Sequence, residues 1–216
     1  MGFIFQTFSS SIGKKMLMAA SGSFLGLFIL VHVVGNSTSF LGREVFLSYA
    51  HHLHSLGFLI PIFELMMLTV FSFHIVLALL LLLENRKARP QRYAVVNSRG
   101  GRSLGSKTMI YTGGIILVFV VVHLLNFHFI NRDTPIADVV RNTLQQPGYA
   151  VFYIVGVLAL GLHISHGFWS LFQSFGIEHP KYTSSLDRTA AISGLMVGLI
   201  FSLIPLLALL VPSFLL

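Results

Sequence analysis

Two histidines, His163 and His166, lie three residues apart in an apolar stretch that contains no Lys, Arg, Asp or Glu between residues 149 and 177. Hydrocarbon offers an imidazole no water, so ionisable residues inside a membrane are functional candidates by default. Three other apolar stretches carry a histidine of the same kind, at His32, His74 and His123. One such histidine can be an accident of packing, but four separate stretches indicate two pairs of ligands.

Distance along the predicted helices indicates which histidines can meet. His32 lies seventeen residues beyond Lys15, and His123 lies sixteen residues beyond Lys107. At 1.5 Å per residue these distances are roughly 25 and 24 Å, so the two histidines should lie at matching depth near the same face of the membrane.

The second pair should lie deeper. His74 is ten residues from Glu84, roughly 15 Å from the opposite end of its helix, and its partner should come from the fourth apolar stretch. There His166 is roughly 15 Å and His163 roughly 20 Å from the helix end. Depth slightly favours His166, and the uncertain end of that helix leaves both histidines open.

Two pairs at two depths would be satisfied by two bis-histidine haems. Two imidazoles close both axial positions, so such a haem transfers electrons and does not activate oxygen. The roughly 10 Å offset between the pairs would give a two-step path across the bilayer. The alternative, in which each histidine only hydrogen-bonds a neighbouring helix, explains one histidine better than four at matched depths.

The composition is that of a membrane protein. Hydrophobic residues make up 55%, charged residues 10%, and the mean hydropathy is +0.83. Soluble domains have about a quarter of their residues charged. The absence of cysteine excludes disulfides, Cys-ligated zinc and iron–sulfur clusters in this chain. The net charge of +7 follows the membrane topology and does not indicate a nucleic-acid partner.

A membrane-crossing helix needs about 20 apolar residues. On this criterion the sequence predicts an all-α bundle in one domain, 1–216, with five spans at about 16–35, 57–83, 108–130, 149–175 and 189–214. The first apolar run is too long for a signal peptide and is predicted to be the first span. Gly22-x-x-x-Gly26 and Gly194-x-x-x-Gly198 are small-residue motifs that carry little weight alone.

The basic residues predict the orientation. Eleven of the fourteen Lys and Arg residues fall on one side of the predicted spans, and by the positive-inside rule that side, with the N-terminus, is cytoplasmic. The C-terminus is then external. The eleven are Lys14, Lys15, Arg86, Lys87, Arg89, Arg92, Arg99, Arg102, Lys107, Lys181 and Arg188, and the other three are Arg43, Arg132 and Arg141.

Two short helices are predicted in the external loops. Residues 43–55 place Val45, Tyr49 and Leu53 on one face, as in an interfacial helix. Thr134 as N-cap, Pro135 at the first helical position and Asp138 predict a second helix to about Leu144. On the inner side, Ser184-x-x-Asp187 resembles a capping box that opens the fifth span.

The remaining polar residues have simpler interpretations. Glu64 is the only carboxylate within a span, ten residues from His74 towards the outside. It is either a hydrated interface acid or a proton acceptor for quinol oxidation. His51, His52 and His54 are interpreted as solvated and His179 as a polar loop residue.

The chain resembles a known family, the membrane cytochrome b subunit of succinate:quinone oxidoreductases (succinate dehydrogenase and fumarate reductase) in its five-helix, two-haem class. The resemblance covers nearly the whole chain, and its specific parts are the four histidines, the Ala-Arg-Pro loop and the fourth-helix motif. The matching segments are Gly13-Lys14-Lys15-x-x-Met18-Ala19 through His32-x-x-Gly35-Asn36, Glu64 to His74, Glu84 to Pro90, Thr112-Gly113 to His123, and Leu160 to Ser170 with Gly176.

The resemblance implies a specific pairing of the haem ligands. It pairs His32 with His123 at an outer haem b and His74 with His163 at an inner haem b. It thereby prefers His163 over His166, and His166 would then orient a ligand or contact a propionate.

The resemblance also implies a place in the cell. The chain would anchor a flavoprotein and an iron–sulfur subunit to the bacterial cytoplasmic membrane, as part of the respiratory chain and the tricarboxylic acid cycle. It would exchange electrons with menaquinone and hold no dicarboxylate site of its own. The basic loop 86–107 would face the partner subunits.

Two other functions are compatible with the same residues. One is the cytochrome b anchor of another respiratory enzyme, such as a hydrogenase or a formate dehydrogenase. The other is a transporter that uses the histidines for a metal ion or for protons, although the sequence shows no inverted repeat and no matching broken spans.

Overall fold

The computed structural model describes residues 2, 6, 10–88, 104–130, 133–177, 179–211 and 213–215, and this part of the chain is all-helical. A 3-10 turn, Thr38–Leu41, follows the first helix. The α-helices, in chain order, are α1 Ser11–Ser37, α2 Arg43–His54, α3 Leu59–Ala88, α4 Leu104–Phe127, α5 Ile136–Leu144, α6 Pro147–Ser174 and α7 Pro180–Leu210.

Five of these helices, α1, α3, α4, α6 and α7, are long and apolar enough to cross a membrane. The predicted five-span, all-α fold is therefore confirmed. Most of the helices extend beyond the predicted spans, because an apolar window finds the lipid-crossing part of a helix and omits its polar ends. The largest difference is in α7, which begins at Pro180 and not near residue 189.

The predicted orientation remains a prediction. Much of the basic loop, including Arg89, Pro90, Arg92, Arg99 and Arg102, lies outside the described residues, as does Arg132. The side chain of Lys107 also lies outside them.

Two predicted N-caps are wrong, one by five residues and the other by one. Ser184 lies inside α7, and the N-cap of this helix is His179. The Nδ1 atom of His179 accepts a hydrogen bond from the Lys181 amide at 3.2 Å. Pro180, with its fixed φ, then starts the helix, so no capping box is needed at Ser184. In α5 the N-cap is Pro135 and not Thr134, and the cap makes no side-chain hydrogen bond.

Helix α6 is the centre of the bundle. It packs against α1, α4 and α7, whereas α3 packs mainly against α1. The contact between α6 and α7 is the closest of these, since Gly161 and Gly194 bring the two backbones together. A Cβ built on Gly161 would lie 2.5 Å from the Gly194 carbonyl oxygen and 3.3 Å from Gly198 Cα. The Gly194-x-x-x-Gly198 motif is thus a packing face.

The short helices α2 and α5 pack together across one end of the bundle, which we call the outer end. Arg43 donates two hydrogen bonds to the Asp138 carboxylate, at 2.7 and 2.8 Å, and a third to the Leu215 carbonyl at 3.1 Å. The first two bonds join α2 to α5. We call the opposite end, where Lys14 of α1 forms an ion pair with Glu84 of α3, the inner end.

Helix α2 packs on the bundle through Phe46 and Tyr49. Phe46 is its buried side chain, whereas Val45 and Leu53 are exposed. Tyr49 lies against α1 at Gly35, where a Cβ would overlap its ring. Gly42, with φ of 102°, makes the sharp turn into α2.

Candidate functional site

His74 of α3 and His163 of α6 face each other with ring centroids 6.5 Å apart, and we call them the inner pair. Each ring also meets a hydroxyl from a third or fourth helix. Ser21 Oγ of α1 lies 3.0 Å from His74 Nδ1, and Thr112 Oγ1 of α4 lies 3.2 Å from His163 Nδ1. Four helices therefore meet at the inner pair.

A glycine follows each of these hydroxyl residues and leaves room for the imidazole. A Cβ on Gly22 would lie 3.4 Å from His74 Cε1, and one on Gly113 would lie 3.7 Å from His163 Cε1. Within the motif Gly22-x-x-x-Gly26, only Gly22 has a neighbour within 4 Å, and that neighbour is a histidine ring and not a helix backbone.

His32 of α1 and His123 of α4 form the outer pair, with ring centroids 5.9 Å apart. Their surroundings are aromatic, and no hydroxyl bonds His123: its buried Nδ1 has no hydrogen-bond partner among the described residues. Phe28 stacks on His32 at 5.2 Å. The other rings within about 6 Å of one or both histidines are Phe119, Phe127, Tyr153 and Phe201.

Both pairs have the separation that one shared iron requires. A ring nitrogen lies about 2 Å from a bound transition-metal ion and about 1 Å from its own ring centre, so two imidazoles on opposite sides of one ion have centroids about 6 Å apart. The observed 5.9 and 6.5 Å agree with this value. The donor set therefore fits two bis-histidine haems.

The two helices that carry each pair are joined mainly through other helices of the bundle. Among the described residues, α1 and α4, which carry the outer pair, are not a closely packed pair, and neither are α3 and α6, which carry the inner pair. The same part of the chain brings together no group of three or more His, Cys, Asp or Glu side chains suited to a bare metal ion. Each pair supplies two ligands, which is what a haem needs from a protein.

The two pairs lie farther apart than predicted. Ser21, which contacts His74, is eleven residues before His32 on α1, and this spacing corresponds to about 16 Å along the helix. The predicted offset of roughly 10 Å between the two pairs was estimated by counting residues from the charged ends of the predicted helices. Lys14 and Glu84 meet through long side chains, so the backbones of two paired residues need not lie at the same level.

Glu64 of α3 lies near the outer end, ten residues or about 15 Å from His74 and thus level with the outer pair. Its Oε1 is 3.6 Å from Nδ1 of His128, which directly follows α4. Its neighbour Phe63 packs against Phe28, with ring centroids 6.1 Å apart. Sequence reasoning missed His128, although its position five residues after His123 at a helix end was a usable signal.

The other described histidines belong to neither pair. His166 lies near His163 on α6, and its ring lies beside Trp169, with centroids 6.1 Å apart. His51, His52 and His54 are exposed on α2.

The chain as a whole is similar to a known membrane protein subunit. The chain is 28% identical over 166 residues to the succinate dehydrogenase cytochrome b558 subunit of Bacillus subtilis (strain 168). The aligned residues make up 71% of this chain and 74% of the relative. No family model and no solved structure matches. The resemblance inferred from the motifs is thereby confirmed, and so is a multi-pass protein of the bacterial cytoplasmic membrane.

Proposed function

Because the chain is a relative of a succinate dehydrogenase cytochrome b558 subunit, we propose that it is a di-haem cytochrome b anchor of a succinate:quinone oxidoreductase. It would pass electrons between an iron–sulfur subunit and menaquinone. The observation that carries this proposal is the arrangement of four histidines on four helices as two facing pairs, with centroids 5.9 and 6.5 Å apart.

Each histidine has one role in this proposal. His32 and His123 hold the outer haem, and His74 and His163 hold the inner one. A haem held by two imidazoles would supply one-electron transfer and no oxygen chemistry. The chain contributes the spacing of the ligands, the aromatic side chains that exclude water around the outer pair, and the hydroxyls that contact the inner pair.

Quinol oxidation releases protons as well as electrons, and Glu64 is placed to accept one. Its side chain is 41% exposed, so both a membrane quinol and external water can reach it. His128, 3.6 Å from the carboxylate, provides the next proton acceptor towards the outer end. The level of Glu64 near the outer pair would keep proton release close to electron entry.

The partner subunits belong to the inner end in this proposal. Arg86 and Lys87 in the last turn of α3 lead into the basic loop, which would face a flavoprotein and an iron–sulfur protein in the cytoplasm. The whole chain, 1–216, would act as one membrane domain. The succinate or fumarate site would lie in the flavoprotein.

Purification of the intact complex tests the function. A pyridine haemochrome assay should give two haem b per chain, and a flavoprotein that oxidises succinate should co-purify. A protein without b-type haem after expression with ample haem would overturn the proposal. Co-purification with a hydrogenase or a formate dehydrogenase would reassign the partner.

A further inference from the structure

We infer that Ser21 and Thr112 are positioning residues that fix the tautomer and the ring orientation of the inner pair, so that both histidines present Nε2 to the haem iron. The inference rests on the proposed function and adds to it a role for two hydroxyls. Each contacts an inner histidine that is distant in the sequence. Both side chains are buried, with 7% of Ser21 and 4% of Thr112 exposed.

The hydrogen bonds of Ser21 set the proton position on His74. Ser21 Oγ lies 3.0 Å from the Met18 carbonyl oxygen, which can only accept, and we assign the single hydroxyl proton to that bond. With this assignment the hydroxyl meets His74 Nδ1 with a lone pair. Nδ1 then carries the ring proton, which leaves Nε2 unprotonated and free to bind a metal.

Thr112 repeats this arrangement on His163. Its Oγ1 lies 3.1 Å from the Thr108 carbonyl and 3.2 Å from the Met109 carbonyl, and we assign its proton to the backbone of its own helix in the same way. Its lone pair meets His163 Nδ1 at 3.2 Å. Both inner histidines are thereby held in the Nδ1–H tautomer by the same device from different helices.

A hydroxyl bonded to its own helix backbone is common and by itself indicates no function. Ser23, two residues after Ser21, makes such a bond to the Ala19 carbonyl at 2.7 Å, and Thr69 makes one to the Leu65 carbonyl at 2.8 Å. Ser21 and Thr112 differ because each makes a second bond, to an imidazole. The glycines Gly22 and Gly113 then allow each ring to approach the hydroxyl-bearing helix.

The hydrogen bonds from the inner histidines to Ser21 and Thr112 would affect the redox potential of the inner haem as well as the orientation of its ligands. A histidine ligand that donates its second N–H to an acceptor is more basic and more firmly oriented. A more basic ligand stabilises ferric over ferrous iron. The outer pair lacks this arrangement at His123, whose buried Nδ1 has no partner among the described residues. Loss of the hydroxyls should therefore shift the inner haem and leave the outer haem unchanged.

The test is a redox titration of both haems in the purified complex of Ser21→Ala and Thr112→Val variants. Each substitution should raise the midpoint potential of the inner haem, with a threefold to tenfold change in the ferric preference, or about 30 to 60 mV for a one-electron couple. The electron paramagnetic resonance signal of the oxidised inner haem should broaden as its ligand ring loses its fixed orientation. Thr112→Ser, which keeps the hydroxyl, should retain the original potential and signal.

Ser23→Ala and Thr69→Val are the matched controls, because each removes a hydroxyl that bonds only its own backbone. The outer haem is an internal control within every sample. Unchanged inner potentials in both variants, or equal shifts of both haems, would overturn the inference and leave the proposed function intact. A wild-type complex without two b haems would instead overturn the proposed function.

Discussion

Thr112 and His123 lie on the same face of α4, three helical turns apart, and the same spacing of eleven residues separates Ser21 from His32 on α1. Helices α1 and α4 therefore each present a ligand to the outer pair and a hydroxyl to the inner pair. Helices α3 and α6 carry the inner ligands. Helices α1 and α4 thus contribute to both pairs, and their hydroxyls contact the inner ligands carried by α3 and α6.

Replacement of His74 by Ala should remove the inner haem and keep the outer one. An iron with one remaining imidazole is weakly held, whereas His32 and His123 lie about 16 Å away along α1 and keep their contacts. The haemochrome assay should fall from two haems to one per chain, and the remaining spectrum should be that of the outer haem.

The control for this variant is His166→Ala, since His74 faces His163 and the His166 ring lies beside Trp169. It should retain two haems. If His74→Ala kept both haems, or if His166→Ala lost one, the assignment of the inner ligands would be wrong.

Replacement of Glu64 by Gln should slow quinone turnover without altering haem content. A carboxamide cannot take a proton from a quinol, and loss of a positioned acid–base group lowers rates by about 10² to 10⁴. Quinol-dependent turnover with a soluble menaquinol analogue measures the effect. Glu84→Gln, at the other end of α3 and paired with Lys14, is the control and should turn over normally.

His128 should belong to the same proton path. If Glu64 passes its proton to His128, the double variant Glu64→Gln, His128→Gln should be no slower than Glu64→Gln alone. Additive losses would show that the two side chains act separately.

Much of the bundle could be predicted from sequence because its signals are local. A stretch of about 20 apolar residues specifies a span regardless of its neighbours. A histidine inside such a stretch is conspicuous because lipid offers it no water. Comparing the depths of His32 and His123 therefore sufficed to predict that they meet, as they do at 5.9 Å.

The contacts of the inner pair could not be predicted in this way. Ser21 and Thr112 are ordinary in sequence, because most hydroxyls in membrane helices bond only their own backbone. Their role depends on the rotation of α1 and α4 about their axes, which tertiary packing sets. The choice between His163 and His166 had the same difficulty. A shift of three residues along α6 changes both the depth of a side chain in the membrane and its direction around the helix.

Gly161→Ala should destabilise the bundle. The new Cβ would lie 2.5 Å from the Gly194 carbonyl oxygen, and a backbone atom cannot rotate away, so α6 and α7 must separate. Overpacking of this kind costs about 1 to 3 kcal/mol. The measurement is unfolding in a mixed detergent, followed by circular dichroism.

Gly167→Ala is the matched control on the same helix. A Cβ there meets no atom within 4 Å, and alanine favours helix over glycine by up to about 1 kcal/mol. The two variants should therefore change stability in opposite directions. Equal destabilisation would mean that α6 and α7 are not in the close contact described.

The ion pair between Arg43 and Asp138 should make the outer end sensitive to acid. The hydrogen bonds from Arg43 lower the pKa of Asp138 below its ordinary value of 3.8, and Arg43 remains charged throughout. A lowered carboxyl pKa stabilises the fold above the ordinary value, and this contribution is lost as the pH falls through the lower, folded-state value. Between neutral pH and pH 3, the stability of the wild type against thermal unfolding should therefore fall by more than that of Asp138→Asn.

The control is Asp187→Asn, which removes an exposed acid of α7 and should keep the wild-type pH dependence. Added salt should reduce the difference between the wild type and Asp138→Asn, because the Arg43–Asp138 pair is partly solvated. Identical pH dependence in the wild type and Asp138→Asn would show that the pair does not hold α2 against α5.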